Sequence, residues 1–215
     1  MEQEALFKFI ETMCKRQSID ESHGLKHAKG TMMRAEKLLL ELSNVTENER
    51  TVSLLAAALH DCCDRKYCVV SEAADEIKGW LLYRGISEEM AKAVIDIITT
   101  MSYSKLKAAS QKVDGKPVFP EHGRWQRAYH VARHADLLEA YIVARCFLYN
   151  KELHPTKTDD EHWLTVRTLF DVRVFNYVKE GWITMPGALA MVPALEAEAR
   201  RCFEMRSLAW PDILI

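Results

Sequence analysis

Apolar residues recur at three- and four-residue intervals along most of the chain. The pattern runs through Ala5–Met13, Leu25–Leu42, Val52–Cys62, Ile77–Leu82 and Met90–Met101, then through Ala128–Tyr149, Leu164–Val178 and Leu189–Phe203. Each run presents an apolar stripe at the helical period. Strand-type alternation is missing, apart from a brief valine-rich spot at Cys68-Val69-Val70. Boundary signals agree with helices. Asp20-Glu21-Ser22 can cap a helix that carries both His23 and His27, Thr46-x-x-Glu49 has the form of a capping box, and Ser87-Glu88-Glu89 opens a helix after Gly85. Asp114-Gly115-Lys116-Pro117 and His154-Pro155 read as loops. The stretch from Tyr103 to Gly123 is the longest weakly patterned one, a candidate lid or binding loop. With no internal repeat, low-complexity tract or linker, the pattern predicts an all-α fold in one helical domain over residues 1–215.

Composition narrows the class. Across 215 residues, 48% are hydrophobic and 28% charged, which suits an ordinary globular domain with one sizeable core. Basic and acidic residues nearly cancel, 29 against 31, so no global charge favours nucleic acid. No stretch approaches the ~20 apolar residues of a membrane span, and the N-terminus lacks the basic and apolar regions of a secretory signal, so a cytoplasmic location is expected. The six cysteines lie mostly inside apolar helical patterns and are expected to be reduced and buried. Cys62, Cys63 and Cys68 lack zinc-ribbon spacing.

Candidate chemistry begins at Leu54-Leu55-Ala56-Ala57-Ala58-Leu59-His60-Asp61, an apolar helix ending in two good metal ligands. Taken alone, the pair also reads as a histidine at a helix C-terminus beside a solvated acid. Upstream, His23 and His27 are spaced to share one helix face. Downstream, Asp136 sits inside an apolar run, where a carboxylate requires a metal or a basic partner such as Arg133.

The order His27 … His60-Asp61 … Asp136 resembles the H…HD…D signature of the HD superfamily of metal-dependent phosphohydrolases. Flanking residues match too: the His-x-x-x-His opening, Leu-Ala-Ala-Ala-Leu-His-Asp, Asp64-Arg65-Lys66-Tyr67, Ile98-Thr99-Thr100-Met101-Ser102-Tyr103, and Ala-Asp-x-Leu-Glu-Ala-Tyr around Asp136. The likeness is nearest the bacterial nucleotide pyrophosphatase branch and covers residues 18–150, with 156–208 as a C-terminal helical extension. It implies a helical bundle in which His27, His60, Asp61 and Asp136 hold one divalent transition metal: Mn, Ni, Fe, Co or Zn. The metal would acidify water and neutralise charge at phosphorus. Asp64 is the candidate catalytic group that orients the attacking water, or else a helix-end acid paired with Lys66. His23, Arg65, Lys66 and Lys105 are candidates for substrate binding, with a solvated face as the alternative for Arg65 and Lys66; Glu72 is a further loop-proximal candidate. The branch carries Asp-Ala-Asp-Arg-Leu-Asp where this chain has His134-Ala135-Asp136-Leu137-Leu138-Glu139, so one basic residue is lost. His122, His130 and His134 raise the question of a second metal. The C-terminal aromatics, Trp163, Phe170, Phe175, Tyr177, Trp182 and Phe203, suit core or homodimer packing. The expected function is hydrolysis of a small phosphorylated substrate, a nucleotide on this branch, with no membrane and no clear nucleic-acid surface. The alternatives are a non-catalytic metal- and nucleotide-binding sensor, or a two-iron oxygenase on the same scaffold.

Overall fold

The computed structural model describes residues 2–109, 112–113, 115–208 and 210. Among them run ten α-helices: α1 (Gln3–Gln17), α2 (Leu25–Leu40), α3 (Glu47–Leu59), α4 (Val70–Tyr83), α5 (Glu88–Thr100), α6 (Tyr103–Ala109), α7 (Gln126–Glu139), α8 (Val143–Leu153), α9 (Asp159–Val172) and α10 (Pro186–Met205). The fold is all-α. Two-residue strands β1 (Lys112–Val113) and β2 (Lys116–Pro117) pair antiparallel, Val113 opposite Lys116, in a small hairpin. No helix among the described residues is long and apolar enough to cross a membrane.

Helix α3 lies at the centre because its side chains are small. Ala56, Ala57 and Ala58 are buried with Val52, Leu55 and Leu59, and α2, α5 and α7 all pack against it. Small residues let three helices approach one axis, while each buried Leu or Val contributes about 1.5–3 kcal/mol. Helix α7 is also surrounded: Tyr129, Val131, Ala132, Ala135 and Leu138 are fully buried, and α10 covers its outer side. Helices α2, α3 and α7 pack mutually and bring the start of α2, the end of α3 and the last turns of α7 to one end of the bundle.

The structure redraws several expected boundaries. The helix expected through His23 and His27 begins only at Leu25. The Asp20 carboxylate accepts hydrogen bonds from the Ser22 backbone N–H, the Ser22 hydroxyl and the Tyr67 hydroxyl, which closes a separate turn and leaves His23 outside the helix. The Ala128–Tyr149 run breaks at Ala140–Ile142. The Val52–Cys62 run leaves the α-helix at Leu59 and tightens into a 3-10 turn, His60–Cys63. Tyr103–Ala109, expected to be loop, is helix α6; Asp114 lies outside the described residues. Thr46 and Ser87 cap α3 and α5 as expected, accepting from the N–H of Glu49 and Met90. The reciprocal half of the Thr46 box is absent, because the Glu49 carboxylate is held by Arg127. Of the C-terminal aromatics, Trp163, Phe170, Tyr177 and Trp182 are buried in the shared core, with Phe175 and Phe203 packed against it.

Candidate metal centre

His27 occupies the first turn of α2, His60 and Asp61 begin the 3-10 turn after α3, and Asp136 lies one turn from the end of α7. The two imidazoles face one another with Nε2 atoms 3.2 Å apart. Asp61 Oδ2 lies 3.3 Å from His27 Nε2 and 3.2 Å from His60 Nε2. Asp136 Oδ1 lies 3.4 Å from the first and 3.5 Å from the second. His27, His60 and Asp61 form a buried group whose donor atoms all lie within 4.8 Å of one another, and it could hold a metal ion. Asp136 does not pair with Arg133, the basic neighbour considered from sequence; that guanidinium donates to the carbonyl of Trp182 instead.

Two observations test whether a cation fits. His60 Nδ1 lies 2.9 Å from the Ala57 carbonyl, so Nδ1 carries a hydrogen, and loss of the second ring proton to an arriving cation would leave the Nε2 lone pair directed at the other donors. Asp61 Oδ2 is buried and makes no hydrogen bond. A buried carboxylate oxygen without a partner is costly, and a cation among these atoms would satisfy it. Electrostatics point the same way. Burial alone would depress the His60 pKa, but the Asp61 and Asp136 carboxylates outweigh it and hold that pKa well above the usual imidazole range. Burial likewise opposes ionisation of Asp61 and Asp136, yet His60 and its neighbours keep both well below the usual carboxylate range. The pocket therefore favours two anions and recruits positive charge to them.

A cavity of about 110 Å³ opens beside these donors. His23, Asp64, Lys66 and Lys105 line it with His60, Asp61 and Asp136, so four of the five residues expected to act on substrate converge beside the donors. Asp64 arrives by a different route from the one expected: the helix stops before it, and its Oδ1 accepts from the Lys66 backbone N–H at 3.0 Å in a turn of extended backbone. Lys105 Nζ donates to the Thr99 carbonyl at 3.0 Å. Arg65 is exposed and does not line the cavity, because that same turn directs it outward. Glu72 is exposed on α4, beside Arg16 and Glu76 rather than in the site.

His23 has a defined proton position. The Ser22 and Tyr67 hydroxyls both donate to Asp20, so toward His23 their oxygens act as acceptors. His23 Nδ1, 2.8 Å from Ser22 Oγ and 3.1 Å from Tyr67 Oη, must donate. Its Nε2 lone pair is then free on the opposite edge of the ring. Burial lowers the His23 pKa despite the nearby carboxylates, which keeps the ring neutral.

Three cavity residues escaped sequence reasoning: Arg145, Arg173 and Tyr177. Arg145 Nε donates to the Ser22 carbonyl at 2.7 Å, and its Nη1 lies 4.0 Å from Asp136 Oδ1. Arg173 Nε donates to Tyr177 Oη at 2.8 Å, with its guanidinium over the Tyr103 ring. Arg145 comes to the site because the break at Ala140–Ile142 turns α8 back toward it, and nothing local in the sequence marks either arginine.

The remaining histidines do not extend the metal group. His134 Nδ1 donates to the His130 carbonyl at 2.6 Å, and its Nε2 accepts from the Thr184 N–H at 2.9 Å. His130 Nε2 accepts from the Gln126 amide at 3.2 Å. His122 stacks on Tyr129 and reaches Thr100 Oγ1 at 3.2 Å. His134 thus ties α7 to the segment before α10. No protein-family model matches the chain, and neither a curated protein nor a solved structure matches it.

Proposed function

We propose that the chain is a metal-dependent phosphohydrolase of the HD type, using His27, His60, Asp61 and Asp136 to hold one divalent transition metal. The observation that carries this reading is the convergence of two imidazole nitrogens and two carboxylate oxygens, one of them buried without a hydrogen bond, at the wall of a cavity rimmed by cations. When bound, such a cation supplies Lewis-acid chemistry, lowering the pKa of water and neutralising charge at phosphorus.

The chain's own groups account for the rest. Lys66, Lys105, Arg145 and Arg173 surround the cavity and hold phosphoryl oxygens by charge-assisted hydrogen bonds. Asp64 accepts a proton from the attacking water and orients its lone pair toward phosphorus. The neutral His23 offers Nε2 as an acceptor to a hydroxyl of the substrate. As the new P–O bond forms, the bond to the leaving oxygen breaks, and that oxygen takes up the proton that Asp64 accepted. The substrate is a small phosphorylated molecule, a nucleotide by the branch that the motifs resemble.

The test is metal analysis coupled to a substrate screen of Mn-, Ni- or Co-loaded protein against nucleoside mono-, di- and triphosphates. His60→Ala and Asp61→Ala are expected to lose both bound metal and turnover. Activity retained in a metal-free Asp61→Ala protein overturns the mechanism. Ligand-dependent stabilisation without turnover under any metal would favour the sensor alternative.

A further inference from the structure

A second chamber opens off the first. The two share Lys66, Arg145 and Arg173, together with His23, Ala140 and Tyr177, as a common rim. The metal-side space is about 110 Å³ and the second about 300 Å³. Beyond the rim the walls come from α8, α9 and the turn after α9: Tyr149, Val166, Leu169 and Val174. No carboxylate lines the chamber, and its threonine hydroxyl and asparagine carbonyl already have partners within the protein. Thr165 Oγ1 donates to the Glu161 carbonyl at 2.8 Å, and Asn150 Oδ1 lies 2.6 Å from His162 Nδ1. A charged group inside would find counter-ions only at the rim, whereas an uncharged apolar one would meet the Val166 and Leu169 side chains.

Volume sets the scale. An apolar cavity of about 150 Å³ is enough to hold benzene, so the second chamber has room for a ring with substituents. The metal-side chamber is the smaller of the two and brings Lys66, Lys105, Arg145 and Arg173 together with Asp61, Asp64 and Asp136, so a phosphoryl group suits it once a cation offsets the carboxylates. Tyr149 stands at the junction, its ring edge-on to His23 with centroids 4.7 Å apart and beneath Lys66 Nζ at 5.3 Å.

We propose that this second chamber binds an uncharged, ring-bearing group to which the reacting phosphate is attached, while Lys66, Arg145 and Arg173 hold the phosphate at the junction. The substrate class is then a phosphate ester with an apolar ring face, as opposed to a bare polyphosphate or a small alkyl phosphate. The inference rests on the phosphohydrolase reading for the reaction, though not for binding, so the two are tested apart.

Binding is measured by calorimetry with two non-hydrolysable probes, phenylphosphonate and methylphosphonate, on the full chain with and without Mn(II). The phenyl probe is expected to bind at least tenfold tighter in one or both conditions. Leu169→Trp, which fills the chamber from α9, should reduce that ratio to within twofold; Thr165→Phe, one turn earlier on α9 and likewise half-buried, is a second filling variant that should lower it too. Equal binding of the two probes, or a ratio untouched in a folded filling variant, overturns the proposal. Turnover of phenyl phosphate is scored separately: a phenyl preference without turnover under any metal leaves the chamber standing and removes the hydrolase reading.

Discussion

Hydrogen positions decide much of what individual residues can do here. His60 and His23 each have Nδ1 committed to a neighbouring oxygen, so what either ring can do further rests on its Nε2. His130 behaves differently: burial, reinforced by Arg133 and His122, lowers its pKa to about 4. An unfolded histidine titrates near 6.5, so between these values the unfolded chain binds the extra proton. Stability from this residue is therefore complete above about pH 6.5 and is lost as pH falls toward 4. After allowance for solvent screening the loss is roughly 1–2 kcal/mol. Urea titrations across this window should show that His130→Gln depends less steeply on pH than the parent chain; equal slopes would contradict the assignment. At this scale the candidate metal group was legible in the order of His27, His60-Asp61 and Asp136, which resembles the HD signature; His60-Asp61 and Asp136 also stand in apolar helical runs, where a polar side chain needs a reason. Arg145 and Arg173 were not, since an arginine on a helix looks the same whether it faces solvent or a cavity.

Among the elements, the contact between α2 and α7 carries the most consequence for the site. Arg34, two turns beyond His27, donates Nε to Glu139 Oε1 at 2.6 Å, and Glu139 lies three positions after Asp136. Gly30 lies between them on α2, and a Cβ there would be driven into the Glu139 carboxylate. The glycine is needed for close approach, not for its backbone angle. Its absent side chain lets a buried ion pair fasten the two helices that bear His27 and Asp136. Removing one partner of such a pair strands a buried charge, so Arg34→Ala is expected to cost about 3 kcal/mol in chemical denaturation. If the proposed group holds Mn(II), Gly30→Ala should weaken that binding by about tenfold or more, by analogy with losses of outer support around metal ligands, while the circular dichroism stays helical. Unchanged affinity would place the contact outside the control of the site. Most helices were legible at this scale because their stripes are regular. The break at Ala140 was not, as neither proline nor glycine marks it; it results from α8 turning to pack on α9.

Taken whole, the molecule does not divide neatly into a motif-bearing core and an appendage. Arg173 and Tyr177 belong to the C-terminal third, beyond the stretch that resembles the HD superfamily, yet both line the metal-side cavity. If the phosphohydrolase reading holds, Arg173→Ala should raise KM for a phosphate ester by about tenfold to a hundredfold, the equivalent of one charge-assisted hydrogen bond, with a smaller change in kcat. A variant with unaltered KM would return α9 and the turn after it to a purely structural role. Long-range closure of this kind is set by how α9 folds back on α8, and no local pattern in the chain carries that information.

The proton shared between His60 Nδ1 and the Ala57 carbonyl gives the site a reporter of its own. It sits in the core at 2.9 Å from its acceptor, on the ring whose other nitrogen faces the donor group. Shielded in this way, it should exchange with solvent slowly and give a resolved low-field resonance in the proton spectrum. A diamagnetic ion such as Zn(II) binding at Nε2 would shift that resonance without abolishing it, so cation arrival and departure can be timed from one line, with no substrate in the tube.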